Sequence, residues 1–177
     1  LTVTVSMFVA LLANASAQQI WRVDCAGGPG VDFTDLPPAV AAAAPGDEIW
    51  VYRSGACPYP WPNYTAPVID KPLRIVGFFA GNSSGGPTLA ELRGMLVITN
   101  IPAGGVVTLS NFWLSNLTEF AGFVLADCQG DVLLEDIYYE GHSAPHSYLH
   151  IQRCANVVIR GCELRQGGNP LTIIDSN

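Results

Sequence analysis

The stretch "VVTLSNFWL", Val106 to Leu114, alternates apolar residues with others on both sides of Ser110-Asn111, and the alternation restarts with shifted parity after Asn111. Successive side chains of a strand point to opposite faces. A shift of one residue therefore means that the chain bends. Asparagine enters the left-handed backbone region more cheaply than most residues, which lose about 1–2 kcal/mol there. Asn111 reads as a one-residue corner between two short strands.

The figure recurs in "VLLEDIYYE" and "VVIRGCELR", which places Val107, Val132 and Val157 in register with a period of 25 residues. The same register aligns Leu109 with Leu134 and Ile159, Phe112 with Ile137 and Cys162, and Leu114 with Tyr139 and Leu164. "LRIVGFFA" reads as a fourth copy, with Leu73, Ile75, Gly77, Phe78 and Ala80 in the same slots. The corner slot then holds Gly77, Asn111, Asp136 and Gly161, all small or αL-tolerant residue types. A second ladder precedes the first: "LVITNI", "FVLADC", "LHIQRC" and "LTIIDS" align Leu96, Phe123, Leu149 and Leu171, then Ile98, Leu125, Ile151 and Ile173. Variable loops rich in turn formers separate the units. Such units bury a continuous core only when stacked, and alternation by two excludes a helical repeat.

These repeats resemble the right-handed parallel β-helix (pectin-lyase-like) proteins that bacteria secrete. "TDLPPAVAAAAPGDEIWVY" followed by "PVIDKPLRIVGF" resembles the amino-terminal cap and first coil of that fold, and the likeness spans about residues 31–177. It implies an all-β right-handed parallel β-helix with a short amino-terminal capping helix. It implies no single activity, because the family holds lyases, hydrolases and adhesins, and none of its catalytic motifs is recognisable here. A lyase of this type would bring calcium; no other cofactor is expected.

Within the leading segment, residues 18–46, Thr34 or Asp35 is placed to cap a helix that accepts Pro37 and Pro38 in its first turn. The run Ala39 to Ala44 favours helix and Pro45-Gly46 stops it. Val40, Phe33 and Leu36 would cover the open end of the core, although a plain surface helix is the alternative. "EIWVY" is expected as the first strand, and coils are expected over residues 47–177, truncated at the carboxyl end.

With 49% hydrophobic and 13% charged residues, 18 glycines and 13 prolines, the 177-residue chain suits one corner-rich β domain. A net charge of −7 without a Lys/Arg cluster argues against a nucleic-acid partner. Residues 1–17 read as a secretory signal whose start is missing: "MFVALLANASA" ends in Ala15-Ser16-Ala17, a cleavage pattern before Gln18. The run is too short to span a bilayer, so no stable membrane insertion is expected after cleavage, and the location is secreted or cell-surface. A hydrophobic first strand is the competing reading.

Five cysteines in an exported chain raise the question of disulfides. A Cys25–Cys57 bridge would pin the leading segment to the first coil. Cys128 and Cys154 share a slot in successive coils and Cys162 sits in an inward ladder, so buried stacking is expected for these three. No CxxC spacing marks a zinc site, and no metal is expected.

The weak catalytic candidates are Asp127, His150, Arg153 and Asp175. Asp127, Arg153 and Asp175 share a slot with Asn100, so Asp127 and Arg153 would meet across adjacent strands, either as a corner ion pair or as part of a site. His150 alternates with Leu149 and Ile151 and should point outward; His142 and His146 lie in a polar loop. Trp50, Tyr59, Trp61 and Tyr64 crowd around the proline-rich "CPYPWPNY" and are candidates to stack on a polysaccharide; loop packing is the alternative. Two functions follow from these residues: a non-catalytic scaffold contacting extracellular polysaccharide, or a polysaccharide lyase or glycoside hydrolase whose site lies partly in missing coils.

Overall fold

Asn111, Asp136 and Gly161 adopt φ of 63°, 51° and 64°, so each turns the chain at one residue. The strands Val106–Asn116 (β8) and Asp131–Gly141 (β10) run through these corners, hydrogen-bonded on both sides of the bend. The computed structural model describes residues 17–53, 63–78, 89–116, 122–141, 149–165 and 171–174.

The remaining elements, in chain order, are β1 (Ile20–Asp24), α1 (Leu36–Ala42), β2 (Glu48–Tyr52), β3 (Asn63–Thr65), β4 (Val68–Ile69), β5 (Arg74–Phe78), β6 (Ala90–Arg93) and β7 (Leu96–Thr99). After β8 come β9 (Phe123–Ala126), β10, β11 (Leu149–Gln152), β12 (Asn156–Arg160), β13 (Glu163–Arg165) and β14 (Leu171–Ile174). One parallel sheet runs β1-β2-β5-β8-β10-β12, with β3, β6 and β13 extending it beyond the corners. The second runs β4-β7-β9-β11-β14. The molecule is a parallel β-helix of about four turns.

Register follows the sequence ladders. Val132 pairs with Val107 on one side and Val157 on the other, and Leu134 with Leu109 and Ile159. Leu125 pairs with Ile98 and Ile151, which in turn pairs with Ile173. Buried Ile75, Leu109 and Leu134 thus form one continuous column, each such side chain contributing about 1.5–3 kcal/mol.

A second corner series turns the other edge of each coil: Asn100, Asp127 and Arg153 have φ of 57°, 57° and 51°. The Arg153 guanidinium grips Asp127 of the preceding coil in a two-pronged pair at 2.5 and 2.8 Å.

Three expectations need correction. The first strand is β1, not "EIWVY": Ile20–Asp24 pairs in parallel with Glu48–Tyr52, so the leading segment contributes a rung before the helix. Gly77 is not an αL corner. It sits within β5, where a Cβ would lie 2.1 Å from the Asn111 carbonyl oxygen, so glycine is needed there for close approach. The fourth copy also departs from its expected register, because Ala90 and Leu92, rather than Phe78 and Ala80, pair with Phe112 and Leu114.

The helix caps the stack. Asp35 is its N-cap, with Oδ1 accepting from Leu36 N at 2.8 Å and Thr65 N at 2.9 Å. It ends at Ala42, ahead of Pro45-Gly46, and Lys71 Nζ donates to the Val40 and Ala43 carbonyls. Leu36, Ala39 and Val40 are buried against the first coils. Behind the cap, buried Asp47 accepts from Gln19 N, Trp21 Nε1 and Ala44 N. Burial alone would raise its pKa, but the three donors outweigh it and hold the carboxyl below its ordinary value.

Candidate functional site

Beyond the corners, β3, β6, β8 and β10 turn Tyr64, Leu92, Leu114 and Tyr139 inward, where all four are buried. Period-two alternation therefore puts their neighbours on the outer face. The resulting outward row is Glu91, Trp113, Tyr138 and Glu163, each paired in register with the next.

Glu91 lies on this row yet is only 6% exposed. A buried carboxylate needs partners. Ser115 Oγ donates to Glu91 Oε1, and Arg93 Nε donates to the same oxygen at 3.3 Å. On the next two rungs, the Trp113 and Tyr138 rings meet edge to face, 6.0 Å apart at 71°, a favoured aromatic geometry. The Trp113 indole nitrogen is buried with no acceptor. An unmet buried donor of this kind costs about 1–3 kcal/mol, and its burial keeps it from a ligand on the outer face.

The row gives Glu91 and Glu163 different surroundings but not a shared reaction centre. Three rungs of about 4.8 Å separate them, roughly 14 Å with two rings between, whereas paired glycosidase carboxylates stand about 5–9.5 Å apart. The arrangement can hold a chain by ring stacking and hydrogen bonds.

A second aromatic group lies near the cap. Trp50 and Phe78 rings are 5.0 Å apart, Tyr52 stacks on Phe78 at 5.3 Å, and the Arg22 guanidinium lies 5.8 Å over Trp50. Trp50 Nε1 donates to Glu48 Oε2 at 2.8 Å, and this bond leads the effects that lower the Glu48 pKa.

The sequence-derived candidates are placed as follows. Asp127 and Arg153 are the bidentate pair at the second corner, with side chains 42% and 49% exposed; the guanidinium hydrogen bonds hold the Asp127 carboxyl below its usual value. His150 lies half-buried on β11, between buried Leu149 and Ile151 and in register with Val124 and Thr172. Asp175, Tyr59, Trp61, Cys57, His142 and His146 lie outside the described residues.

Tyr64 is corrected as a glycan-stacking candidate. It is fully buried, its hydroxyl donating to the Tyr52 carbonyl and accepting from Cys25 N at 3.0 Å, so it has no face to offer a sugar. Burial pushes its phenol up to about 12. Cys25 is disulfide-bonded. Cys128, Cys154 and Cys162 are free thiols, the first two buried, and burial pushes Cys128 up to about 11.

The repeat pattern does not single out Glu91, because it puts Phe78 and Ala80 in the slots that Ala90 and Leu92 fill. The alternation in "AELR" was the available signal. Among the described residues, no group of three or more His, Cys, Asp or Glu could hold a metal ion, and no helix is long and apolar enough to cross a membrane. Compared with family models, curated proteins and solved structures, the chain matches none.

Proposed function

We propose that this protein is an exported β-helix scaffold, of the pectin-lyase-like type, that contacts extracellular polysaccharide without cleaving it. The observation that carries this reading is the outward row in which Trp113 and Tyr138 occupy adjacent rungs between Glu91 and Glu163. Rings fixed on a rigid sheet present stacking surfaces at little entropic cost. The exposed Glu163 carboxylate beside them can accept hydrogen bonds from hydroxyls. The wide separation of the two carboxylates favours holding a chain over hydrolysing it. Export rests on the Ala15-Ser16-Ala17 cleavage pattern, and mature protein beginning at Gln18 is the expected mass-spectrometric result.

The test mixes the secreted protein with a panel of cell-wall and exopolysaccharides, then measures both cosedimentation and new chain ends. Binding without reducing or unsaturated ends is expected. Release of such ends, lost on Glu91→Gln, Asp127→Asn or His150→Ala, would replace the scaffold with a lyase or hydrolase.

A further inference from the structure

Resting on that reading, we propose that the polysaccharide held by the Trp113–Tyr138 row is uncharged. The chain has eight Lys and Arg against fifteen Asp and Glu. Arg74, Arg93, Arg153 and Arg160 are each paired with a carboxylate, from Glu48, Glu91, Asp127 and Glu135 respectively. Lys71 is turned onto the carbonyls at the end of α1, Arg22 lies over Trp50, and Arg53 is buried. Arg165, the eighth, is in register with Glu140. A polyuronate carries a charge on every sugar and binds through cations that are not already neutralised. Here four of the described cations are paired with carboxylates and Lys71 with backbone carbonyls, Arg53 lies buried away from a polymer with its Nη1 unpartnered, and the net charge of −7 repels a polyanion.

The row itself is nearly balanced rather than strongly acidic, since Arg93 sits on Glu91. That removes the main attraction for a polycation at the point of contact. What the row offers at its surface is the Trp113 and Tyr138 rings and the exposed Glu163 carboxylate, while Glu91 and the Trp113 indole nitrogen are buried. Those groups match the C–H faces and hydroxyls of a neutral sugar. Adjacent rungs are about 4.8 Å apart, close to the advance of one sugar in an extended chain. Trp113 and Tyr138, whose rings stand at 71° to each other, can therefore contact successive sugars of a chain lying along the stack, one of them face on.

The experiment is affinity electrophoresis of the full chain through gels containing galactomannan, hydroxyethylcellulose, polygalacturonate or deacetylated chitin, at low and high salt. Retardation by a neutral polymer, unchanged by salt, is expected, with binding about tenfold weaker in Trp113→Ala and in Tyr138→Ala. Circular dichroism of each variant checks that the sheet survives. Should either variant unfold, tryptophan fluorescence of the native protein titrated with galactomannan oligosaccharides reads the same contact. A saturable change supports the assignment and a flat titration overturns it. Salt-sensitive retardation by polygalacturonate or deacetylated chitin alone overturns the uncharged ligand while leaving glycan contact standing. No retardation in any gel ends both.

Discussion

Asn111 and Gly77 occupy the same slot of neighbouring coils but answer opposite demands. Asn111 needs a residue that tolerates φ of 63°. Gly77 needs the absence of a side chain, because a Cβ would stand 2.1 Å from the Asn111 oxygen. Asn111→Val should therefore cost about 1–2 kcal/mol and Asn111→Gly almost nothing. Gly77→Ala, harmless at an αL corner only if space allowed, should cost about 1–3 kcal/mol through forced separation of two coils. Urea melts of the three variants check the order; a Gly77→Ala protein as stable as the parent would contradict the close approach. The residue types of both positions were legible in the sequence. The reason for glycine at 77 was not, since it depends on an atom 34 positions away.

At the scale of elements, Tyr64 ties three of them together. It sits in β3, donates to the last carbonyl of β2 and accepts from Cys25 just past β1. Burial disfavours the charged phenolate, and the Asp24 and Asp35 carboxylates add to that, which is why the folded pKa rises from 10.0 to about 12 although the Cys25 amide opposes it. The sign follows from linkage: a raised folded pKa means that the folded state holds its proton longer. The stabilisation is fully present below pH 10 and is lost as pH rises toward about 12. Alkaline melts should show this loss, and Tyr64→Phe should flatten it while costing about 1–3 kcal/mol at neutral pH from two groups left unpaired. An unchanged alkaline profile in Tyr64→Phe would assign the loss elsewhere. The same tie explains why the sequence misjudged Tyr64. Proximity to "CPYPWPNY" suggested a surface aromatic, but parity within a three-residue strand cannot be fixed without its partner, and Leu92 supplies that partner only after register is known. Glu91 was lost for the same reason. Where repeats are evenly spaced, as at Val107, Val132 and Val157, register and inward faces could be read directly; where a long insertion precedes β6, they could not.

Across the whole molecule, a stack of coils is close to one-dimensional, each rung supported only by its neighbours. Local stability should then follow the number of neighbours and the burial they confer. β8 and β10 each pair on both sides, and Leu109 and Leu134 in their inward column are almost fully buried. β1 has one strand neighbour among the described residues but gains the packing of α1, with Val23 buried beneath it. Among the described residues β12 pairs with β10 alone, and Val158 and Ile159 are 40% and 43% exposed, although Ile159 continues the column of Leu109 and Leu134. Hydrogen exchange should accordingly be slowest in β8 and β10, intermediate in β1, and fastest in β12. Leu134→Ala, which opens a cavity at the shared interface, should cost about 2–5 kcal/mol and speed exchange in β8 and β12 more than in β1. Exchange measured peptide by peptide decides the matter: uniform protection from β1 to β12 would mean that the stack unfolds as one unit, and the nearest-neighbour account of its stability would have to be abandoned.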